Sequence, residues 1–219
     1  MAYPHTAALS VGPATVRFMD DPEERRPERR GRRRSARTEQ ELPGGGTEAQ
    51  AKDVCLRLLT DRARSRSELA AKLEQKGFAA DIAERALDRL TAVGLIDDAD
   101  FANQWARSRH LYAGKGKRAI ALELRRKGID ADDAAAALDQ IDTADERERA
   151  VELVRKKLRT QPPLPTEGDR REIAAERDKL VRRLVGMLAR RGYAQGMAFD
   201  VVREELAAFG ADASDLPHD

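Results

Sequence analysis

Thirteen basic side chains, in five short groups, are the residues of this sequence best suited to binding a partner. The groups comprise Lys115, Lys117, Arg118, Arg125, Arg126, Lys127, Arg155, Lys156, Lys157, Arg182, Arg183, Arg190 and Arg191. Closely spaced cations attract nucleic-acid phosphates or an acidic protein surface, so these thirteen are the candidate contacts. The alternative is a set of solvated helix faces, because 39 acidic residues nearly balance the 41 basic ones.

Residues for catalysis or metal binding are scarce. The three histidines, His5, His110 and His218, are far apart in the sequence, and the single cysteine, Cys55, has no evident partner. Neither a zinc site nor a cysteine–histidine nucleophile is indicated. Cys55 lies in an apolar run and is expected to be a small buried residue. We predict no catalytic residue, no metal, no cofactor and no enzymatic activity.

The segment AGKGKR, residues 113–118, has the glycines and lysines of a phosphate-binding loop but not its context. No predicted strand precedes it, the Walker spacing is absent, and no serine or threonine follows either lysine. We expect a connection between two helices, and a basic contact loop is the other interpretation.

Two acidic clusters have the side chains of metal ligands, but each lies where a helix is predicted to begin. Carboxylates at that end interact favourably with the helix dipole, so we expect capping. The clusters are Asp97, Asp98 and Asp100, and Asp130, Asp132 and Asp133.

Trp105 and Tyr112 lie seven residues apart on one predicted helix and therefore on one face. Such a pair either packs in the core or stacks on nucleic-acid bases.

The elements that must position these residues are helices. Charged residues make up 37% of the chain and aromatic residues only 4%, and good helix formers dominate after residue 46. The fold class predicted is all-α. Residues 1–48 are predicted to be a disordered tail with eight arginines from Arg25 to Arg37 and a glycine linker. The tail is either a basic arm that touches nucleic acid or simply solvated.

One phrase occurs three times: LEQKGF at 73–78, LRRKGI at 124–129 and LARRGY at 188–193. A left-handed glycine after a basic residue is typical of a helix end, and in a Schellman motif the residue after glycine packs five positions back. The phrase therefore predicts contacts of Leu73 with Phe78, Leu124 with Ile129, and Leu188 with Tyr193.

The surroundings of the phrase also repeat. Leu69 aligns with Ile120 and Leu184, and upstream helices are predicted near 50–60, 98–112 and 144–159. We predict three tandem three-helix repeats at 49–96, 97–142 and 143–210, followed by a C-terminal tail at 211–219. The third repeat contains an inserted loop, 161–169. Stacked repeats would share a core and form an elongated, curved solenoid, right-handed or irregular.

Three segments are similar to the RecX family of bacterial regulatory proteins. They are RSRSELAAKLEQKGF, LDRLTAVGLIDDADFANQWARSR and GKGKRAIALELRRKGID. Two motifs carry the likeness: G-L-I-D-D-x-x-F-A from Gly94 to Ala102, and G-x-G-x-x-x-I-x-x-E-L-x-x-K-G-I from Gly114 to Ile129. The resemblance covers about residues 50–209 and is looser in the third repeat.

The resemblance implies a function that composition does not. RecX proteins bind RecA, the recombinase that polymerises on single-stranded DNA, as a helical-repeat clamp in the filament groove. They usually inhibit ATP hydrolysis, strand exchange and co-protease activity, which restrains recombination and the SOS response. Direct binding of single- or double-stranded DNA is the alternative function, and a nucleotide-dependent enzyme or a scaffold for another partner are further ones.

Location and assembly follow from simpler observations. No apolar run approaches the roughly 18 residues of a membrane span, and the N-terminus lacks the order of a secretion signal. We expect a cytoplasmic monomer with no membrane partner.

Overall fold

The computed structural model describes residues 45–162 and 169–214, with side chains described as far as Phe209. Within these ranges the secondary structure is helical, with no strand, which confirms the all-α fold class. The helices are α1 (Glu48–Asp61), α2 (Arg66–Gln75), α3 (Ala80–Ala92), α4 (Asp98–Leu111), α5 (Lys117–Arg126), α6 (Ala131–Asp139), α7 (Thr143–Leu158), α8 (Arg170–Arg190) and α9 (Gln195–Ser214). The predicted tail up to residue 44, most of the inserted loop and residues 215–219 lie outside the described ranges.

Polar side chains cap the beginnings of six of these helices, whereas α3 and α5 begin without a side-chain cap. Ser65 and Glu68 form the predicted capping box at the start of α2, and Thr47 and Gln50 form another at α1. The two acidic clusters also contain caps. Asp97 accepts a hydrogen bond from the Asp100 backbone N–H, and Asp130 accepts one from that of Asp132.

The repeated phrase ends the middle helix of each repeat in a Schellman motif. The backbone N–H groups of Phe78, Ile129 and Tyr193 donate to the carbonyls five residues earlier at 3.2, 3.1 and 3.2 Å. The intervening glycines have φ values between 72° and 89°, the left-handed region that favours glycine. Each predicted apolar pair lies within one buried cluster.

Three buried clusters divide the helices into three units, which we number in chain order: α1–α3, α4–α6 and α7–α9. The principal helix contacts lie within these units. The prediction of a shared core therefore needs correction, because each unit encloses its own apolar cluster. Ala63 is the residue of the first unit that packs on the cluster of the second.

The repeat alignment identifies most core positions correctly. Leu69, Ile120 and Leu184 are buried, as are the three leucines one turn later in each unit. Leu138 is only partly buried, and the neighbouring Ala137 takes the inward place on the short helix α6. Cys55 is buried in the first cluster, where burial raises the pKa of its thiol. No helix in the described ranges is long and apolar enough to cross a membrane.

Candidate protein and nucleic-acid interface

Two polar junctions join the three units and decide which basic residues reach the surface. At the first junction, between units one and two, the Ser65 hydroxyl donates to the Lys127 carbonyl at 2.6 Å. The Arg66 backbone N–H donates to the Asp98 carboxylate at 2.8 Å. The beginning of α2 therefore meets the end of α5 and the beginning of α4.

The second junction, between units two and three, repeats this arrangement at the corresponding residues. The Gly116 backbone N–H donates to the Arg191 carbonyl at 2.8 Å, and that of Lys117 donates to the Glu146 carboxylate at 2.8 Å. The N-terminus of α2 thus contacts the C-terminus of α5, and the N-terminus of α5 contacts the C-terminus of α8. Orphan N–H and C=O groups of two helix ends satisfy each other there, with the helix dipoles aligned head to tail.

Lys127 stabilises the fold and is not the surface contact that its charge predicts. Its side chain is 10% exposed and pairs with Glu68 of the first unit, Nζ to Oε1, at 3.0 Å. The ammonium also lies 4.0 Å from the ring centroid of Trp105, a cation–π contact. Position explains this burial, because Lys127 follows Ile120 and Leu124 on the same apolar helix face.

The Glu68 carboxylate, which forms the ion pair with Lys127, is kept ionised by two cations. Burial alone would raise the pKa of Glu68, but hydrogen bonds and charges from Lys127 and then Arg62 outweigh it and hold the pKa below its usual value. Arg62 lies 3.3 Å from Glu68. A buried charge is tolerated here because it is paired on both sides.

Lys115 also has a partner inside the chain. Its ammonium forms an ion pair with Glu123, whose second oxygen accepts from the Trp105 indole N–H at 2.9 Å. Arg109 lies 3.0 Å from the same carboxylate and stacks 4.2 Å from the Trp105 centroid. These contacts fix the loop 113–118 to unit two.

The loop 113–118 is a structural connection, as the first of its two interpretations predicts. Its Ala113 carbonyl accepts from the Arg191 guanidinium at 3.0 Å, and its Gly114 carbonyl accepts from the Tyr193 hydroxyl at 3.2 Å. Arg191 is therefore half-buried at the second junction. Burial, together with the negative charge of Glu146, raises the pKa of Tyr193 to about 12.

The other ten candidates are exposed or partly exposed. Arg155 pairs with Glu205 at 2.7 Å, Arg183 donates to Gln161, and Lys117 is partly exposed. The rest are exposed and form no side-chain ion pair within the part of the chain that the structure describes. They are Arg118, Arg125, Arg126, Lys156, Lys157, Arg182 and Arg190.

Sequence analysis missed an exposed apolar turn between α3 and α4. Val93 is 68% exposed and Leu95 is 51% exposed, on either side of Gly94. The motif from Gly94 to Ala102 contained a signal for this. Each of its other named residues has a structural role: the glycine makes the turn, the two aspartates bond the first N–H groups of helices, and the apolar residues are buried. Leu95, by contrast, is an apolar residue that faces solvent. A groove lined by Leu56, Leu59 and Phe101 adjoins this turn.

Trp105 and Tyr112 do not share an environment. Trp105 is 4% exposed in the core of unit two, whereas Tyr112 is 84% exposed. Tyr112 is the C-terminal cap of α4 and keeps helical backbone angles, so its exposure, like that of Leu111, shows that the core of unit two does not extend to the end of this helix. The core interpretation is therefore confirmed for Trp105 and wrong for Tyr112.

Comparison with known proteins gives consistent matches. A family model described as "RecX, first three-helix domain" matches residues 51–90, and "RecX, second three-helix domain" matches residues 97–138. The "Regulatory protein RecX" of Mycolicibacterium smegmatis is 59% identical over 161 residues, which are 73% of this chain and 81% of the relative. The protein of the same name from Mycolicibacterium vanbaalenii is 60% identical over 158 residues, 72% of this chain and 83% of the relative.

Two solved structures share the fold. The "Crystal structure of RecX from Lactobacillus salivarius" superposes with a TM-score of 0.59 at 22% identity and covers 74% of this chain and 97% of that one. The "Crystal structure of regulatory protein RecX" gives a TM-score of 0.58 at 25% identity, with 72% and 73% covered.

Proposed function

Because the chain belongs to the RecX family of regulatory proteins, we propose that it binds the RecA filament on single-stranded DNA and inhibits RecA. The activities restrained are ATP hydrolysis, strand exchange and co-protease activity, and with them recombination and the SOS response. The chain acts in the cytoplasm by binding, as a monomer without catalysis of its own. The high identity to proteins named as regulators carries this proposal.

The exposed basic residues form the proposed contact surface. Arg125 and Arg126 end α5, Arg190 ends α8, and Lys156 and Lys157 lie in the last turn of α7. Cations that form no ion pair among the described residues can pair with filament phosphates or acidic subunit surfaces. Lys127, Lys115 and Arg191 are left out of this surface, since their side chains serve the fold.

The apolar turn supplies a second kind of contact. Exposed Val93 and Leu95 stand beside Asp97 and Asp100, so the turn suits an apolar pocket with a basic rim on a filament subunit. Burying two such side chains contributes about 2–4 kcal/mol, which surface charges alone do not. We propose that this turn anchors unit one while the basic helix ends follow the filament.

Three mechanisms are compatible with binding in the groove. The chain could bridge subunits and hinder the motions coupled to ATP turnover, cap filament extension, or promote disassembly. Bridging is the one we propose, because three rigid units linked by polar junctions can contact successive subunits of a periodic filament.

The test is the DNA-dependent ATPase of RecA with this chain added at substoichiometric amounts. We expect inhibition both by the full chain and by a variant that lacks residues 1–44. The variant keeps Gly45, whose carbonyl accepts from the Ala79 N–H at 3.0 Å. Inhibition by the full chain alone would assign the activity to the arginine-rich segment, and no inhibition by either would exclude the proposal.

The double variant Arg125→Glu and Arg126→Glu tests the contact surface. We expect it to inhibit the RecA ATPase at least about ten-fold less effectively, through lost attraction and new repulsion. The matched control is Lys179→Glu with Arg203→Glu, which makes the same change of net charge at two exposed residues outside the candidate set. Equal weakening by both pairs would show a general charge effect and contradict the assigned surface.

Direct DNA binding is the second candidate function, and the exposed cations that form no ion pair within residues 45–162 and 169–209 favour it. A chain of this kind would bind DNA without RecA, with an affinity that falls steeply as salt rises. Titration of DNA at several salt concentrations distinguishes it from a chain that needs the filament.

A further inference from the structure

Tyr112 is an unusually exposed aromatic residue in a chain with few of them. Its side chain is 84% exposed, whereas Phe78, Phe101, Trp105 and Tyr193 are buried. An aromatic ring left in water forgoes the large stabilisation that its burial would give. Neither the fold nor the proposed contact with RecA uses it.

The backbone that carries this ring is held in place by hydrogen bonds. Tyr112 N–H donates to the Ser108 carbonyl at 3.0 Å, and the Lys115 N–H donates to that of Arg109 at 3.0 Å. The next residue, Ala113, is bonded by Arg191 of unit three. Because the backbone on both sides of Tyr112 is already ordered, a ligand that stacks on the ring restricts only the rotamers of the side chain, which favours binding.

The surroundings of Tyr112 are basic. No Asp or Glu occurs from Phe101 to Leu122, a stretch that contains five Lys or Arg residues. Glu123 forms ion pairs with two of them, Arg109 and Lys115, and the other three are Arg107, Lys117 and Arg118. Arg118 is exposed, and its backbone N–H bonds Gly192 beside Arg190 and Arg191 across the junction. The junction carboxylate Glu146 is buried and accepts a hydrogen bond from the Lys117 N–H.

We propose that Tyr112 stacks on a base of single-stranded nucleic acid while Arg118 and Arg190 hold the adjacent phosphates. Exposed aromatic rings among cations are the groups by which sequence-tolerant single-strand binders hold nucleic acid. This contact is with nucleic acid itself and goes beyond the proposed binding of RecA. It also names Tyr112 as a residue by which the chain would bind DNA directly.

The test compares the binding of labelled oligothymidylate and of an abasic strand of equal length, by fluorescence anisotropy and without RecA. The full chain should bind oligothymidylate at least about five-fold more tightly than the abasic strand, from one stacked base. Tyr112→Ala should lose this preference and leave abasic binding unchanged. Tyr112→Phe should keep it, because the ring is retained.

Phe199→Ala is the matched control, since Phe199 is the other large aromatic side chain classed as exposed among the described residues. Its removal should leave the preference intact. Equal affinity of the full chain for both strands, or a Tyr112→Ala variant that keeps the preference, would overturn the proposal. The RecA ATPase, measured separately on the same variants, reports the proposed function independently.

Discussion

The two junctions share one backbone plan and differ in the side chains that complete it. In both, a middle helix begins against the end of the next one, and a carboxylate from the next unit bonds its first N–H group. The first junction is completed by charge, with Lys127 buried between Glu68 and Trp105. At the second, Tyr193 and Arg191 bond the carbonyls of Gly114 and Ala113 instead. Both junctions are close approaches, since a Cβ at Gly128 would lie 2.4 Å from the Ser67 side chain and one at Gly192 would lie 2.3 Å from the Ala119 nitrogen.

The residue before each repeated glycine shows what a junction does to a side chain. Lys76, Lys127 and Arg191 occupy equivalent positions, yet Lys76 is exposed, Lys127 buried and Arg191 half-buried. The sequence around each is alike, so the difference comes from the preceding unit, which Lys76 lacks. A basic residue at this position is thus a surface residue only at the beginning of the series.

The largest effect is expected from charge reversal at the first junction. Lys127→Glu places a second carboxylate beside Glu68 in a buried site and should lower the free energy of unfolding by about 4 kcal/mol. Urea denaturation followed by circular dichroism measures this value.

Arg126→Glu is the control for that variant. Arg126 is exposed one residue earlier, so its reversal should change stability by no more than about 0.5 kcal/mol. Similar losses for both variants would mean that Lys127 is not buried as the structure places it.

The second junction should be most sensitive to added volume. Gly192→Ala forces a left-handed residue at φ 89° and a clash with the Ala119 backbone. The two costs together should lower the free energy of unfolding by about 3 kcal/mol, again measured in urea.

Two other glycines separate these costs. Gly94→Ala has a φ of 70° but open space around the new methyl, so only the conformational cost of about 1 kcal/mol remains. Gly196→Ala has neither problem and should leave stability unchanged or slightly higher. If Gly192→Ala costs no more than Gly94→Ala, the close approach at the second junction is absent in solution.

A smaller effect is expected from the cap that also serves the first junction. Ser65→Ala removes a helix cap and the hydrogen bond to the buried Lys127 carbonyl, and should cost about 2 kcal/mol. Thr47→Ala removes an equivalent capping box that is exposed and touches no other unit, so it should cost about 1 kcal/mol. Thermal unfolding of both variants checks the difference, and equal losses would assign no stability to the junction bond.

The sequence predicts the helices and their ends well because the signals are local. Ser65 with Glu68, and Leu73 with Gly77 and Phe78, lie within one or two turns of each other, where capping and Schellman rules apply. The repeat then transfers each assignment to the next unit. Core positions such as Ile120 and Leu184 follow from that transfer alone.

The junctions could not be predicted in this way, because their partners lie far apart in the chain. The bond from Ser65 to Lys127 spans 62 residues and that from Tyr193 to Gly114 spans 79. Its charge alone put Lys127 among the candidate surface contacts, together with its neighbours Arg125 and Arg126. Its spacing of three residues from Leu124 indicates instead the buried face of the helix. Tyr112 shows the opposite error, since it keeps its helical position but lies beyond the part of α4 that the core of unit two covers.

The smallest expected effects are on the pH dependence of the free energy of unfolding, which should differ between the two junctions. At the first, the pKa of Glu68 is lowered by its partners, so the stability it contributes is present above its unfolded pKa and lost as pH falls through the folded value. At the second, the pKa of Tyr193 is raised to about 12, so its contribution is complete below the unfolded value of 10.0 and is lost as pH rises towards 12. By about pH 11 the loss at Tyr193 should reach roughly 1 kcal/mol.

The free energy of unfolding should be measured by urea denaturation at a series of pH values. A hydrogen bond lost by substitution lowers this free energy at every pH, whereas the loss of a titrating group changes its slope against pH. Glu68→Gln should flatten the slope on the acid side only, because its amide does not titrate. Tyr193→Phe should flatten the slope on the alkaline side only. If Tyr193→Phe left the alkaline slope unchanged, the Tyr193 hydroxyl would be reachable by water, and its buried hydrogen bond to the Gly114 carbonyl, which the first junction lacks, would not persist in solution.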